Sequence, residues 1–354
     1  MKKALVFDPY IDTLGGGERY VLSFCLGLIK YGYQVDLAWK DEEDLKSAEK
    51  RFGFDLSKLN VDKKAYSLCA GKSSILERYD LTTEYDLVFW VSDGSLPLLF
   101  SKNNLVHFQV PFVRLGGNSL MNLIKSSMIH QYVYNSEFTR KIIERSLPKD
   151  KGTVLYPPID IEQFKPGKKE KIILSVSRFD SPSHSKRQDI LIRAFRELLP
   201  SAKGYKLIIT GGLKGSKSLV SPLVRLAQGL PVEIIINPDF NKLKQLYSHA
   251  KIFWHAAGYD IDDEKEPEKV EHFGMTTVEA MSAGCVPVVI AKGGQKEIIS
   301  KGSGLLFEDI SDLVSQTKKI LNDNELAESF SKSAVKRAGK YSFNNFVKQI
   351  NNLL

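Results

Sequence analysis

The chain has 354 residues, 43% of them hydrophobic and 26% charged, a composition typical of globular proteins and a length that allows two domains. The net charge of +8 comes from residues 165–354, which hold 29 basic and 21 acidic residues, because residues 1–164 hold 21 of each. The sequence contains no run of 18 apolar residues and no stripe of interleaved basic and aromatic residues, which argues against a membrane-spanning helix and a nucleic-acid partner.

The first residues and the cysteines indicate the cellular compartment. Asp8 interrupts the apolar core that a signal peptide needs, so Met1–Asp8 is predicted to be a β-strand instead of a signal peptide. Cys25, Cys69 and Cys285 form no C-x-x-C pair and lie in or near apolar stretches, as reduced structural thiols do. We therefore predict a cytoplasmic protein, and leave open a contact with the inner face of the membrane.

Apolar runs typical of strands alternate with helical patterns along the whole chain, which predicts an α/β fold with parallel, doubly wound sheets. In the first half, strands are predicted at Lys3–Asp8, Gln34–Trp39, Asp86–Val91, Asn104–Gln109 and Gln131–Asn135. In the second half, strands are predicted at Lys171–Ser177, Tyr205–Thr210, Val232–Ile236, Lys251–His255 and Cys285–Ile290.

A stretch of prolines, a glycine and charged residues between Tyr156 and Glu170 predicts a linker. The predicted domains are therefore residues 1–164 and residues 165–340. Residues 341–354 have apolar positions at helical spacing and are expected to form a last helix that packs on the first domain.

Three glycines, Gly15, Gly16 and Gly17, precede a predicted helix at Glu18–Lys30. Glycines at a helix start let backbone amides approach an anion closely, although a plain turn has the same composition. Later in this half, His107 lies near the end of a predicted strand, a position where a lone histidine is usually structural. Ser136 is predicted to cap the helix that follows it.

The segment Ser119–His130 is rich in leucine, isoleucine and methionine at helical spacing. Two interpretations fit it, a buried helix and a helix that rests on a membrane surface and admits a lipid acceptor. We expect burial, because the balanced charge of residues 1–164 gives membrane docking no independent support.

Two cations follow the first predicted strand of the second half. Arg178 comes directly after that strand, and Lys186 precedes a predicted helix at Ile190–Leu199. Ligands of open α/β sheets bind beyond the carboxyl ends of the strands, where two fixed cations would stabilise the charge of a leaving phosphate. The alternatives are that both are ordinary surface charges, or that Arg187 takes the place of Lys186.

The carboxylates Glu271 and Glu279 are eight positions apart, and on one continuous helix they would point about 80° apart. A loop that carries Glu271 and leads into a short helix with Glu279 would let both face a ligand. Thr276 fits the cap of that helix and Gly284 its end. The free amides of 274–278 would attract phosphate, whereas Glu279 could instead only cap its own helix.

The strings Glu-His-Phe-Gly at 271–274, Glu-Ala-Met at 279–281 and Ala-Gly-Cys-Val-Pro-Val-Val at 283–289 resemble the signature of retaining glycosyltransferases of family 4. The E-x7-E element of that family matches at Glu271 and Glu279. The resemblance implies the GT-B fold, with two Rossmann-like domains facing each other across a cleft. It also implies that a nucleotide-sugar binds mainly to the second domain and that the sugar is transferred with retention of configuration and without a metal.

The resemblance also implies roles for individual residues. The residues implied in catalysis are Glu271 and His107 at the transferred sugar, and Arg178 and Lys186 at the diphosphate. The residues implied in donor binding are Gly16, Gly17, Arg178, Lys186, Phe273, Gly274, Met275, Thr276 and Glu279, with Glu279 at the ribose hydroxyls.

The predicted function is therefore transfer of a hexose from a nucleotide-diphosphate sugar to a hydroxyl of a glycan or lipid-linked acceptor. A GT-B sugar-nucleotide epimerase and a non-catalytic nucleotide-sugar binder are the alternatives. No cofactor and no metal ligand are predicted, because the D-x-D spacing at Asp260 and Asp262 lies in an acidic loop with lysines that is typical of solvated surface.

Overall fold

The computed structural model describes residues 1–71, 73–116, 119–147, 149–179, 186–213 and 215–354. They form two compact units, the first containing residues 1–158 and 343–354 and the second containing Ile159–Ser342. The residues just before Lys186, 180–185, lie outside the described part of the chain.

In chain order, the strands are β1 (Lys3–Phe7), β2 (Gln34–Ala38), β3 (Leu59–Val61), β4 (Leu87–Val91), β5 (Asn103–Phe108), β6 (Gln131–Tyr134), β7 (Gly152–Val154), β8 (Glu170–Val176), β9 (Lys206–Gly211), β10 (Val232–Ile236), β11 (Ala250–His255), β12 (Val286–Ile290) and β13 (Leu305–Phe307). The helices are α1 (Gly16–Lys30), α2 (Glu42–Phe52), α3 (Lys63–Ala70), α4 (Ile75–Thr83), α5 (Ser119–Met128), α6 (Glu137–Ile143), α7 (Gln188–Leu198), α8 (Ser221–Ala227), α9 (Phe240–His249), α10 (Met275–Ser282), α11 (Gln295–Ile298), α12 (Ile310–Asn322), α13 (Asn324–Ala338) and α14 (Phe343–Ile350).

Each unit is built on one parallel sheet. The strand order is β3-β2-β1-β4-β5-β6-β7 in the first unit and β10-β9-β8-β11-β12-β13 in the second. Parallel strands are covered on both faces and therefore read as continuous apolar runs. Strands β4 and β12 show this directly, since all five residues of each are buried.

All ten predicted strands are confirmed to within one or two residues at their ends. Three strands were not predicted, β3, β7 and β13. Each has three residues and lies at an edge of its sheet. Three residues are too few to show an apolar run or an alternation, so the sequence carries little signal for them.

The C-terminal helix α14 belongs to the first unit. Phe346 and Ile350 are buried in the same apolar cluster as Phe24 and Leu28 of α1. A Cβ placed on Gly27 would lie 2.3 Å from Ile350 Cδ1, so glycine permits this close contact between the helices. Within the described residues, none of the helices is both long enough and apolar enough to cross a bilayer.

Helix α5 is a helix as predicted, but the expectation that its apolar side chains are buried is wrong. Four of its large apolar residues are exposed to solvent, and we call them the apolar face of α5: Leu120, Met121, Leu123 and Ile124. The buried side of the helix carries Ser126 instead. The predicted helix is therefore confirmed, and its apolar side faces the solvent instead of the core.

Candidate functional site

In the second sheet, the chain order of the strands reverses between β8 and β11. Open parallel sheets bind ligands at such a reversal, beyond the carboxyl ends of the strands, because the loops on the two sides diverge there and leave a crevice. Arg178 and Lys186 follow β8 in the chain, and His255 is the last residue of β11.

Three side chains meet at this point. Lys186 Nζ lies 3.0 Å from Glu271 Oε2, and His255 Nε2 lies 3.3 Å from the same oxygen. The amide of Ala257 donates to His255 Nδ1 at 3.4 Å, so Nε2 carries the proton and donates it to Glu271. Two donors thus fix one oxygen of the carboxylate, and neither of these contacts uses Oε1.

The charge state of Glu271 follows from these contacts. Burial alone would raise the pKa of its carboxyl group, but the Lys186 ammonium and the His255 hydrogen bond outweigh burial and hold that pKa well below its ordinary value. Glu271 is therefore ionised at neutral pH. Lys186 and Glu271 each keep about a fifth of their side-chain surface exposed (20% and 21%), so a ligand can reach the pair.

Two glycines hold the backbone that carries Glu271. The amide of Gly294 donates to the Glu271 carbonyl at 2.8 Å, and a Cβ on Gly294 would lie 2.4 Å from the His272 carbonyl oxygen. Gly293 has a φ of +54°, and its amide donates to Asp263 Oδ2 at 3.0 Å. The loop after β12 therefore fits against 271–273 only because it lacks side chains there.

Helix α10 begins two residues earlier than predicted. Gly274, with a φ of +115°, is its N-cap residue and Met275 its first residue, so the prediction that Thr276 caps the helix is wrong. Glycine adopts this left-handed conformation without the steric cost that a threonine would meet. Of the predicted free amides 274–278, those of Thr277 and Val278 donate to the Gly274 carbonyl at 3.0 and 3.3 Å, so only those of 274–276 have no acceptor within the helix and are available to an anion. The predicted end at Gly284 is confirmed by its φ of +75° and by the hydrogen bond from Cys285 N to the Ala280 carbonyl.

Glu279 lies inside α10 and is buried. It accepts a hydrogen bond from the Tyr247 hydroxyl at 2.9 Å, so its carboxylate has a partner outside its own helix. Phe273 is buried edge-to-face against Tyr341, which leaves only its backbone for a ligand. Met275 is partly exposed at the helix start, as is its neighbour in the chain, Thr276.

Arg178 is exposed at the end of β8. Gln188 fixes this strand end, since its Nε2 donates to Ser177 Oγ and to the Arg178 carbonyl, both at 3.0 Å. Arg187 is turned to other partners: it donates to the Tyr259 carbonyl at 2.8 Å and pairs with Asp189 at 3.2 Å. Lys186, not Arg187, is thus the cation that contacts Glu271.

The acidic loop with the D-x-D spacing is occupied by ion pairs. Asp260 lies 3.5 Å from Arg187, and Asp262 lies 3.1 Å from Lys265. Both aspartates are exposed, as predicted for a solvated loop.

In the first unit, Gly16 and Gly17 lie inside the first turn of α1 and not in a loop before it. Glu18 Oε2 accepts a hydrogen bond from the Gly15 amide at 2.5 Å, so a buried carboxylate already lies at this helix start. The contact of Gly16 and Gly17 with the donor phosphates stays a prediction.

His107 lies within β5 and is fully buried. Its ring stacks on Tyr20 with a centroid distance of 4.3 Å, and its Nδ1 lies 3.0 Å from the Val133 carbonyl oxygen. Burial lowers the pKa of His107 to about 3, so the imidazole is neutral. The expectation that His107 contacts the reacting sugar is corrected, because its ring is sealed in the core. Ser136 caps α6 as predicted, accepting from Thr139 N at 3.0 Å.

Asp8, directly after β1, is a buried acid whose Oδ2 has no hydrogen-bond partner among the described residues. Burial, and then the charge of Glu18, raise its pKa from 3.8 to about 8. Asp8 is therefore protonated in the folded chain and ionised in the unfolded chain between these pH values. The stability that this difference provides is complete below pH 3.8 and is lost as pH rises towards about 8.

We expect Asp8→Asn to remove this pH dependence, since asparagine has nearly the same shape and no charge. Denaturant unfolding of the first unit, followed by the fluorescence of Trp39 and Trp90, should lose a slope of up to about 1.4 kcal/mol per pH unit in that window. Asp80→Asn, at an exposed position, is the control and should leave the slope unchanged. An Asp8→Asn variant that keeps the wild-type slope would contradict the assignment.

A family model described as Glycosyl transferases group 1 matches residues 158–337, half of the chain and nearly all of the second unit. The chain belongs to this family of glycosyltransferases. The match includes Arg178, Lys186, His255, Glu271 and Glu279, so the residues gathered at the switch point lie in the segment that defines the family.

Curated relatives of this glycosyltransferase include mannosyltransferases. It is 27% identical to the GDP-Man:Man(3)GlcNAc(2)-PP-Dol alpha-1,2-mannosyltransferase of Dictyostelium discoideum, over 55% of this chain and 40% of that relative. It is 25% identical to the Alpha-1,3/1,6-mannosyltransferase ALG2 of Rhizomucor pusillus, over 85% of this chain and 79% of that relative. The alignment thus spans less than half of the first relative and most of the second.

Solved structures with the same fold cover almost the whole chain. A glycosyltransferase from Rickettsia africae superposes with a TM-score of 0.78 at 17% identity, covering 99% of this chain and 97% of that one. Anabaena Alr3699/HepE in complex with UDP-glucose superposes with a TM-score of 0.68 at 16% identity, covering 99% of each chain. The glycosyltransferase therefore has the predicted two-domain α/β fold of the GT-B type.

The roles of His255, Tyr247 and Gln188 are not predicted from the sequence. His255 had a signal that could have been used, because it ends a predicted strand in the same way as the residue before Arg178 does. Tyr247 and Gln188 had none. Each acts through hydrogen bonds to residues more than nine positions away in the chain, which no local pattern encodes.

Proposed function

We propose that the chain is a retaining hexosyltransferase, which moves a hexose from a nucleotide-diphosphate sugar to a hydroxyl of a glycan or lipid-linked acceptor. The observation that carries the proposal is the contact of Lys186 and His255 with Glu271 at the switch point of the second sheet. A cation, an ionised acid and a helix N-terminus in one sheet crevice suit a diphosphate attached to a sugar.

In this proposal, Lys186 and Arg178 stabilise the charge that grows on the leaving diphosphate. The amides at the start of α10, from Gly274 to Thr276, add hydrogen bonds to the same ligand. Glu271 is held in place through Oε2 and accepts a hydrogen bond from a hydroxyl of the transferred sugar through Oε1. Glu279, oriented by Tyr247, accepts hydrogen bonds from the ribose hydroxyls.

The reaction breaks the bond between the anomeric carbon and the phosphate oxygen, and the electron pair stays on the phosphate. A bond forms between the anomeric carbon and the acceptor oxygen, and the acceptor proton passes to the leaving phosphate. The two side-chain cations supply the positive charge that this leaving group needs, so we propose that transfer requires no metal ion.

The names of the relatives support this choice of donor and acceptor. The Dictyostelium relative is named for GDP-mannose and a dolichol diphosphate-linked glycan, and the Anabaena structure contains UDP-glucose. Both donors are nucleotide-diphosphate hexoses, which is the donor class proposed here. The lipid-linked glycan of the relative is one member of the proposed acceptor class.

The test is to incubate the protein with GDP-mannose or UDP-glucose, with and without octyl α-mannoside as acceptor, in the presence of EDTA. We expect nucleoside diphosphate release that depends on the acceptor, and a product whose anomeric proton shows the configuration of the donor in NMR spectra. Formation of a new sugar-nucleotide without acceptor would indicate an epimerase. Binding of a donor without any turnover would indicate a non-catalytic binder, and either result contradicts the proposal.

Donor affinity gives a second prediction. Glu279→Ala should weaken donor binding by about 10- to 100-fold, because a hydrogen bond to a charged group contributes about 1.5–3 kcal/mol. Calorimetric titration with the donor that proves active measures this directly. Tyr247→Phe is the matched control: it keeps the carboxylate and removes only the hydroxyl that orients it, so its loss should be smaller. Unchanged affinity in Glu279→Ala would remove Glu279 from the donor site.

A further inference from the structure

Helix α5 turns its apolar side chains to the solvent and a polar side chain to the interior. Leu120 and Leu123 expose 67% and 65% of their surfaces, and the other two members of the apolar face of α5 are about half exposed. On the opposite side, the buried Ser126 accepts a hydrogen bond from the Tyr132 hydroxyl at 2.7 Å. Surface helices of globular proteins normally turn the apolar stripe inward, whereas no part of the chain that the structure describes covers the apolar face of α5.

The reversed orientation is fixed by polar contacts. Lys151 Nζ donates to the Ser126 and Ile129 carbonyls at 2.9 and 2.8 Å, which satisfies the C-terminal end of α5. Asn122 Nδ2 donates to the Gly116 carbonyl at 3.2 Å. Rotating the helix to bury its leucines would break these hydrogen bonds, so the exposed apolar face is a property of the folded unit.

The chain around α5 carries positive charge only. There is no aspartate or glutamate between Asp93 and Glu137, whereas Arg114 and Lys125 fall in this stretch; its third cation, Lys102, is paired with Asp86 at 2.7 Å. A helix that combines an exposed apolar face with flanking cations suits an anionic lipid surface, where apolar burial and electrostatic attraction add.

We propose that the apolar face of α5 docks on the surface of a membrane that contains anionic lipid. A second copy of the chain fits this face less well, because a symmetric contact would place Arg114 and Lys125 near their own copies. This docking extends the proposed function and rests on it for the use of a lipid-linked acceptor, because a docked enzyme meets such an acceptor at the membrane. The test measures vesicle binding and not glycosyl transfer, so the docking and the transferase function can fail independently.

The experiment is co-sedimentation of the full chain with phosphatidylcholine vesicles, with or without added phosphatidylglycerol. We expect binding to the anionic vesicles, weaker binding to the neutral ones, and a loss of binding at high salt. The double variant Leu123→Ser and Ile124→Ser should reduce the partition coefficient at least about 10-fold, because two apolar side chains lose their burial in lipid. Both residues are on the surface, so unfolding midpoints should stay at the wild-type value.

Helix α4 offers a matched control in the same unit. Ile75 and Leu76 expose 65% and 74% of their surfaces, as much as the leucines of α5, but Glu77 and Asp80 lie on the same helix. The double variant Ile75→Ser and Leu76→Ser should bind vesicles like the wild type.

Three results would overturn the proposal. The first is wild-type protein that stays in solution with both kinds of vesicle. The second is a Leu123→Ser and Ile124→Ser variant that binds as well as the wild type. The third is sedimentation velocity that shows a dimer which this same variant dissociates, because a second copy would then occupy the face.

Discussion

Replacing Lys186 by alanine is expected to lower kcat/KM for glycosyl transfer about 10³-fold, which corresponds to about 4 kcal/mol of transition-state stabilisation. The variant removes the cation 3.0 Å from Glu271 and, in the proposed mechanism, a charge that stabilises the leaving diphosphate. It also leaves the Glu271 carboxylate with His255 as its remaining partner in the cluster. Since the Lys186 charge helps to hold the Glu271 pKa low, the variant should also raise that pKa.

Lys296 provides the control for this variant. Its ammonium lies 2.9 Å from Asp263 in the same unit, but its side chain is half exposed. Lys296→Ala should change kcat/KM only a few-fold, as surface ion pairs contribute about 0–1 kcal/mol. A Lys186→Ala enzyme that keeps a tenth or more of the wild-type kcat/KM would show that Lys186 does not act on the leaving group.

Gly294→Ala is expected to reduce transfer at least about 100-fold and to destabilise the second unit by about 3 kcal/mol, as overpacking against backbone does. The added Cβ would lie 2.4 Å from the His272 carbonyl oxygen and 2.5 Å from Phe273 Cα. Backbone atoms cannot rotate away as a flexible side chain can, so the segment that carries Glu271 must move. The displacement separates Glu271 from Lys186 and His255 even though no charged residue has been changed.

Gly339→Ala is the matched control for this glycine. Among the described residues other than its chain neighbours, none has an atom within 4 Å of a Cβ placed there, and the backbone conformation suits any residue. That variant should keep wild-type activity and equal or slightly higher stability. Activity assays and denaturant titrations of both variants check the pair, and wild-type behaviour of Gly294→Ala would disprove the role assigned to this contact.

The sequence was sufficient to predict those elements and residues whose local pattern follows directly from their chemistry. Buried parallel strands such as β4 and β12 are continuous apolar runs, so they could be located without a structure. Glu271 and Lys186 were both singled out, the first from a motif and the second from its place after a strand. Their contact, across 85 positions of the chain, depends on the order of strands in the sheet.

The sequence was insufficient to predict features that depend on packing, because more than one arrangement fits the same local pattern. Thr276 has the right chemistry for a helix cap, but Gly274 starts the helix because its φ of +115° directs the chain into it. His107 lies near the end of its strand, yet the rings of Tyr20 and Phe89 enclose it. In α5, hydrogen bonds from Tyr132 and Lys151 select the face that is buried, and both lie outside the helix.

The proposed donor site is tested most directly by a crystal structure of the protein with a nucleoside diphosphate bound. We predict that the diphosphate lies in the second unit beyond the carboxyl end of β8, within hydrogen-bond distance of Lys186 Nζ and of the first amides of α10. A diphosphate bound elsewhere, with the contact between Lys186 and Glu271 undisturbed and the start of α10 untouched, would contradict it.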